Sequence, residues 1–331
     1  MQTRIPLLHE TMQPYEVKSK EVLAVNEEVY LSLINNILKE TTGNTAQSTI
    51  IVGDSGSGKT FLMKRLFAAI KENKDTCLYP IFIEGKSLFS TNDIWAHCVA
   101  YLNLDGEKNA FDAIMDWQEL NSKRVLLLVD NMQYYFERTD NTEQYGLRAK
   151  LNSAGSPILI ASSEMVLPAF TEYDAAFFDG FKISYLKPLS MTAVENITKG
   201  KYDVHRLENL LSYMPKTIRS LYIAIDILGK SDAADKDLDY LSDYFYARYQ
   251  TKFEAASTQM QRILAALSQA ESGFSLSEIR AITRLDNGKI SPYLKLMIDQ
   301  KLISKEAKSM RSGIYYILDP LFKLWLRHNA I

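Results

Sequence analysis

Eight residues, GDSGSGKT at 53–60, bring a pliable backbone, one ammonium and one hydroxyl together in the order G-x-x-x-x-G-K-[ST]. Gly53, Gly56 and Gly58, with Asp54, Ser55 and Ser57 between them, let the chain curl into a concave nest whose N–H groups converge on an anion. Lys59 can reach β- and γ-phosphate oxygens and Thr60 can offer a hydroxyl to Mg²⁺. Phe61 continues into a helix whose positive N-terminal end adds to the attraction. The flanks suit this chemistry: STIIVG reads as a buried strand, and FLMKRLFAAIKEN (61–73) as a helix with an apolar face. A glycine-rich turn alone has no need of the Lys-Thr pair, so the spacing predicts a site for a nucleoside triphosphate with Mg²⁺.

A second chemical stretch is LLLVDNMQ at 126–133. Asp130 ends the apolar run RVLLLVD (124–130), where a carboxylate can serve as the second Mg²⁺-side group or cap the turn that follows. Asn131 comes next, where a glutamate would accept the proton of an attacking water. An amide cannot accept that proton, though it can orient water. Slow turnover is therefore expected, faster in Asn131→Glu if the missing base is limiting. Glu84, at the end of IFIEG, is a substitute base if its strand lies beside 124–130. Ser162 and Ser163, ending PILIASS, can touch the γ-phosphate or the water, or can cap the next turn. Lys216 and Arg219 in MPKTIRSL lie three residues apart, predicting one helix face that either closes over phosphates or is simply solvated.

These groups need elements to hold them. A polar arm over 1–20 leads to a helix over 21–40, and the strands STIIVG, TCLYPIFIEG, RVLLLVD, SPILIASS and FKISYLKPLS alternate with helices such as DIWAHCVAYL and AFDAIMDWQEL. Strands without polar alternation, separated by helices, imply a parallel sheet covered on both faces. From about 189 the strands stop and a small all-helical unit follows, with a polar loop at KSDAADKDLD (230–239) and then the helix DYFYARYQTKFEAAS. The predicted organisation is an arm (1–20), a core (21–188), a helical lid (189–250) and a C-terminal domain (251–331).

That last domain reads as three helices, STQMQRILAALSQA, SLSEIRAITRL and NGKISPYLKLMIDQKL, the Asn287-Gly288 pair making the turn before the third. ISKEAKS and RSGIYYIL then alternate like a two-stranded wing. This is a winged helix-turn-helix order, which would present Lys289, Ser291, Tyr293 and Lys295 on the recognition helix and Lys305, Lys308 and Arg311 in the wing. Residues 258–331 hold 11 Lys/Arg against 6 Asp/Glu, leaving the remainder at −7 within a whole-chain charge of −2. A basic module on an acidic body suits phosphate contacts, and a protein-docking unit is the alternative. Tyr315, Tyr316, Phe322 and Trp325 read as wing-and-helix core.

GDSGSGKT, LLLVDNMQ, ILIASSE, MPKTIRSL and YYILDPLFKLWLR together make residues from about 21 to 328 resemble the AAA+/STAND P-loop ATPases, in the initiator-like and archaeal-ATPase branches. The resemblance implies an α/β three-layer core with a parallel five-stranded sheet in order 5-1-4-3-2, then a helical lid and a winged helix. It also implies ATP as the nucleotide, Ser162 or Ser163 at the sensor-1 place and Lys216 or Arg219 at the sensor-2 place. Asn131 departs from the pattern, as do Lys216, where Arg is usual, and Tyr213, where the STAND version has Gly. Residues 165–181 contain no Arg, so ATP-dependent self-association lacks an evident arginine finger; Arg138 and Arg148 are the remaining candidates.

The cysteines (Cys77, Cys98) and histidines (His9, His97, His205, His328) are too scattered for a disulfide framework or zinc site. No segment reaches the ~18 apolar residues of a membrane span, so a cytoplasmic protein with no membrane partner is expected. The expected function is a slowly hydrolysing ATP switch on double-stranded DNA. The alternative is a regulatory ATPase whose lid and winged helix bind an effector or regulatory protein. A metabolic kinase would need an acceptor-binding insertion, and none is evident.

Overall fold

The computed structural model describes residues 25–38, 46–73, 76–104, 109–309 and 312–329. The predicted arm lies outside them. By internal contacts the chain divides between Ile197 and Thr198 into two compact units.

The first unit is built on five parallel strands: β1 (Thr49–Val52), β2 (Leu78–Glu84), β3 (Arg124–Asp130), β4 (Ile158–Ser163) and β5 (Lys182–Tyr185). Their spatial order is β2-β3-β4-β1-β5, the expected order read from the other edge. Val125, Leu127 and Val129 of β3 face one side, with Ile81, Ile83, Leu159 and Ala161. Leu126 and Leu128 face the other, with Ile51, Ile158 and Ile160. Helices α1 (Glu27–Leu38) and α2 (Lys59–Glu72) cover the second face. The first is covered by α3 (Thr91–Leu102), α4 (Ala110–Asn121), α5 (Gln133–Arg138) and α6 (Asn141–Leu151). This two-sided burial explains why the strands read as unbroken apolar runs. Each such buried Leu or Val stabilises the fold by roughly 1.5–3 kcal/mol.

The helix expected from 21 begins at Glu27, because Asn26 is left-handed (φ 60) and so interrupts an α-helix at that point. Arg65 of α2 clamps α1 by donating to Glu27 at 2.5 and 3.0 Å, its guanidinium 3.6 Å above the Tyr30 ring. Short α7 (Pro168–Thr171) leads towards β5, and α8 (Met191–Thr198) crosses the division.

The second unit continues with α9 (Val204–Ser212), α10 (Ile218–Lys230), α11 (Asp237–Tyr244) and α12 (Tyr246–Glu254). Arg206 of α9 forks onto the buried Asp237 of α11 at 2.5 and 2.8 Å, holding its carboxyl below the usual carboxylate range. That pairing shortens the expected loop: helix begins at Asp237, inside 230–239. The single helix expected over DYFYARYQTKFEAAS is two, separated at Phe245.

The C-terminal segment holds α13 (Thr258–Gln269), β6 (Phe274–Ser275), α14 (Leu276–Thr283), α15 (Asn287–Asp299), β7 (Ile303–Ser309), β8 (Ser312–Ile317) and α16 (Pro320–Asn329). The strands form an antiparallel sheet in the order β6-β8-β7. Asn287 and Gly288 are the first helical residues of α15 and not the turn before it. The turn is made by left-handed Arg284 (φ 56), with Asp286 as N-cap. Phe322 and Trp325 are buried in an aromatic cluster with Tyr249, whose hydroxyl donates to Asp319 at 2.9 Å. Tyr315 is buried and Tyr316 half-buried.

Candidate nucleotide-binding site

The carboxyl ends of β1, β3 and β4 bring the chemically suited residues of the first unit together. Beyond β1, Gly56 and Gly58 take positive φ angles of 79 and 102, which side chains tolerate poorly, so the loop's curvature depends on glycine. Lys59 is 5% exposed. Its Nζ donates to the carbonyls of Gly53 at 2.6 Å and Asp54 at 2.8 Å, drawing the loop around the ammonium. Burial holds its pKa below the usual lysine value, and the charges of Glu164, Asp130 and Asp54 oppose that shift. Ser57 Oγ is buried with no hydrogen-bond partner among the described residues. An orphaned donor in such a loop suits a phosphate oxygen.

Asp130 is buried at the end of β3. Its carboxylate accepts from Thr60 Oγ1 at 2.5 Å and from Ser162 Oγ. Thr60 and Asp130 thus present two hard oxygen donors side by side, a set that fits Mg²⁺. Asp130 does not cap the following helix: α5 begins at Gln133, with Met132 as its N-cap.

The alternation of β4 separates the two serines. Ser162 Oγ bonds Asp130 and accepts from the Asn131 N–H at 2.9 Å. Ser163 turns away and closes its own bend, donating to the Met165 carbonyl at 2.6 Å. Of the two hydroxyls, the one that meets Asp130 is therefore that of Ser162, while Ser163 closes the turn after its strand.

Asn131 has a left-handed backbone (φ 57), a conformation asparagine enters more readily than glutamate does. Its Nδ2 donates to Glu84 Oε1 at 2.9 Å. That contact exists because β2 and β3 pair with Glu84 opposite Asp130. Sequence reading missed the residue that permits this approach. A Cβ on Gly85 would lie 2.7 Å from the Asp130 carbonyl oxygen, and closer still to that of Asn131. The signal was a glycine directly after a strand-ending acid. Gly85→Ala is expected to push the two strand ends apart and lower ATP turnover about tenfold or more, with a stability cost of about 1–3 kcal/mol. Steady-state ATP hydrolysis and urea denaturation check this.

Other expected residues lie elsewhere. Lys216 and Arg219 belong to the second compact unit and are both exposed, but they do not share a helix face. Lys216 precedes the N-cap Thr217, whose side chain accepts from the Ser220 N–H, so the helix starts only at Ile218. Arg138 donates to the carbonyls of Lys86 at 2.8 Å and Leu88 at 3.0 Å, and lies 4.3 Å over the Phe89 ring. Arg148 donates to the Ala176 carbonyl at 2.7 Å. Both guanidinium groups are engaged within their own unit.

On α15, Ser291 and Lys295 are exposed and one helical turn apart, while Tyr293 is half-buried. Lys305 is exposed on β7, its ammonium 5.5 Å from the Tyr315 ring. Arg311 and the side chains of Lys289 and Lys308 lie outside the described residues. Among the described residues no helix is long and apolar enough to cross a membrane.

A family model described as AAA domain matches residues 41–162. No curated protein matches the sequence. Among solved structures, the chain is similar to the ORC2 protein of Aeropyrum pernix in ADPNP–ADP complexes. The identity is 14%, with 91% of this chain and 94% of that one covered, at a TM-score of 0.51. It is similar to the ORC1 protein of the same organism in complex with DNA, at 10% identity, 92% coverage of both chains and a TM-score of 0.53. A Walker-type ATPase of Pyrococcus abyssi matches at 14% identity over 92% of this chain and 96% of that one, with a TM-score of 0.53. The fold is that of the initiator-like P-loop ATPases.

Proposed function

We propose, from the match of residues 41–162 to a family model described as AAA domain, that this chain is an ATP-binding, slowly hydrolysing cytoplasmic switch acting on double-stranded DNA. The observation that carries nucleotide binding is the buried Asp130 carboxylate joined at 2.5 Å to the Thr60 hydroxyl, directly after the phosphate loop. In this reading the loop's N–H groups and Ser57 Oγ hold the phosphates, and Lys59 exchanges its loop carbonyls for β- and γ-oxygens. Thr60 and Asp130 would hold Mg²⁺, which would supply positive charge against the negative charge that develops on the phosphates. Ser162 orients Asp130 from β4. Turnover is slow because the position directly after Asp130 carries an amide, Asn131, in place of a carboxylate.

The C-terminal segment, read as a winged helix-turn-helix, supplies the DNA contact. Exposed Ser291, Lys295 and Lys305, together with the basic excess of residues 258–331, support this. A protein of the same fold has been solved in complex with DNA. Titration of a labelled duplex with the full chain tests the reading: affinity should fall steeply between about 50 and 200 mM salt. Lys295→Glu/Lys305→Glu should cost about tenfold or more, with ATP affinity unchanged. Unaltered duplex binding in that variant would remove the assignment.

The second reading, docking of an effector or regulatory protein, draws on three apolar residues of α14 and α15. Ile282, Leu296 and Ile298 are 52%, 44% and 36% exposed. Absence of duplex binding at low salt would favour it.

A further inference from the structure

We infer that Glu84, not any group on β3, is the general base of this site, and that Asn131 is the residue that positions it. The inference rests on the reading of the site as an ATP-hydrolysing one. Proton abstraction at the γ-phosphate needs a carboxylate near the Mg²⁺-side aspartate, and Asn131 cannot supply it. Register supplies it from the next strand. Glu84 lies opposite Asp130 in the β2–β3 ladder, and its Oε1 accepts from Asn131 Nδ2 at 2.9 Å. The amide occupies one carboxylate oxygen and leaves Oε2 available to a water.

The pair is held from three sides. The Asn131 backbone N–H is fixed on Ser162 Oγ at 2.9 Å, the same hydroxyl that bonds Asp130. The left-handed turn at Asn131 aims its side chain across to β2. The missing Cβ of Gly85 lets the strand ends close. Glu84 is half-buried, which restricts its solvation without enclosing it. The rival carboxylate is Glu164, after β4, whose charge acts on Lys59. It is exposed, and no hydrogen bond or ion pair among the described residues orients it.

The step balances with groups already in the reading. Water bound at Glu84 Oε2 gives a proton to the carboxylate as its oxygen forms a bond to the γ-phosphorus. The bond from that phosphorus to the β,γ-bridging oxygen breaks, and the electron pair leaves on ADP. Glu84 then returns the proton to solvent. Asn131 takes no proton; its amide holds the carboxylate in place.

The test compares Glu84→Gln, Asn131→Ala, Glu164→Gln and Lys59→Ala in the full chain. Steady-state hydrolysis is read beside the Kd of a fluorescent ATP analogue and the bound ATP-to-ADP ratio after chemical quench. Glutamine at 84 still accepts from Asn131, so the geometry survives while the base is lost. Expected is a fall in kcat of about 100-fold or more for Glu84→Gln, with unchanged Kd and ATP persisting in the site. Asn131→Ala should lower kcat about tenfold with KM unchanged, which separates positioning from binding. Wild-type turnover in Glu84→Gln, or a loss confined to Glu164→Gln, overturns the assignment. Wild-type hydrolysis at the Lys59→Ala level with tight nucleotide binding also overturns it, yet leaves the nucleotide site standing. The same hydrolysis result with no affinity for ATP removes the site itself.

Discussion

Lys59→Ala should weaken ATP binding about 100-fold, read as the Kd of a fluorescent ATP analogue. The ammonium is buried and spends its hydrogen bonds on the carbonyls of Gly53 and Asp54. These carbonyls carry no net charge, and burial of the ammonium holds its pKa below the usual lysine value. A triphosphate offers anionic oxygens instead, and a charge-assisted hydrogen bond contributes about 1.5–3 kcal/mol net. Losing about 2.7 kcal/mol of such contacts corresponds to the stated change in affinity. Because Lys59 also ties its own loop, thermal unfolding without nucleotide should be measured in parallel. A small shift in melting with a large shift in Kd identifies a binding role. A Kd equal to that of the parent chain would mean that phosphates do not sit in this loop.

Asp130→Asn should reduce Mg²⁺-dependent turnover about 100-fold or more, and more than Asn131→Ala does. The carboxylate serves two hydroxyls at once, Thr60 Oγ1 at 2.5 Å and Ser162 Oγ. Asparagine keeps the shape but offers one acceptor oxygen and no charge, so one hydroxyl meets an NH₂ group and the metal loses an anion. A buried, poorly matched donor costs about 1–3 kcal/mol, so a modest loss of stability should accompany the loss of activity. The decisive comparison is ATP affinity with and without Mg²⁺. The variant should approach the parent in EDTA and diverge when Mg²⁺ is added. Equal affinities in Mg²⁺ would place the metal elsewhere.

Hydroxyl and carboxylate roles divide here between local and distant causes. GDSGSGKT was legible because every group it needs lies within eight residues, and the strand before it and the helix after it fix their directions. The apolar runs LLLV and ILIA were legible as strands of a doubly covered sheet because both faces are buried. Phe322 and Trp325 are buried as large aromatic side chains are expected to be.

Other outcomes depended on which residues face each other once the strands are side by side. Whether Ser162 or Ser163 meets Asp130 is decided by which face of β4 turns to β3. Arg138 and Arg148 are occupied by carbonyls about 50 and 28 residues away in sequence. Lys216 left the face of Arg219 because Thr217 caps the helix between them. Glu84 and Asn131 are 47 residues apart in sequence. Beyond the glycine at 85, neither segment encodes their meeting, because the register that joins them is set by packing of the two sheet faces. The phosphate loop, the strand-end aspartate and the α/β order rest on short-range backbone and side-chain physics, and so they can be read from the chain residue by residue. Which carboxylate stands beside Asn131 is a contact between strands, and it exists only once β2 and β3 are paired.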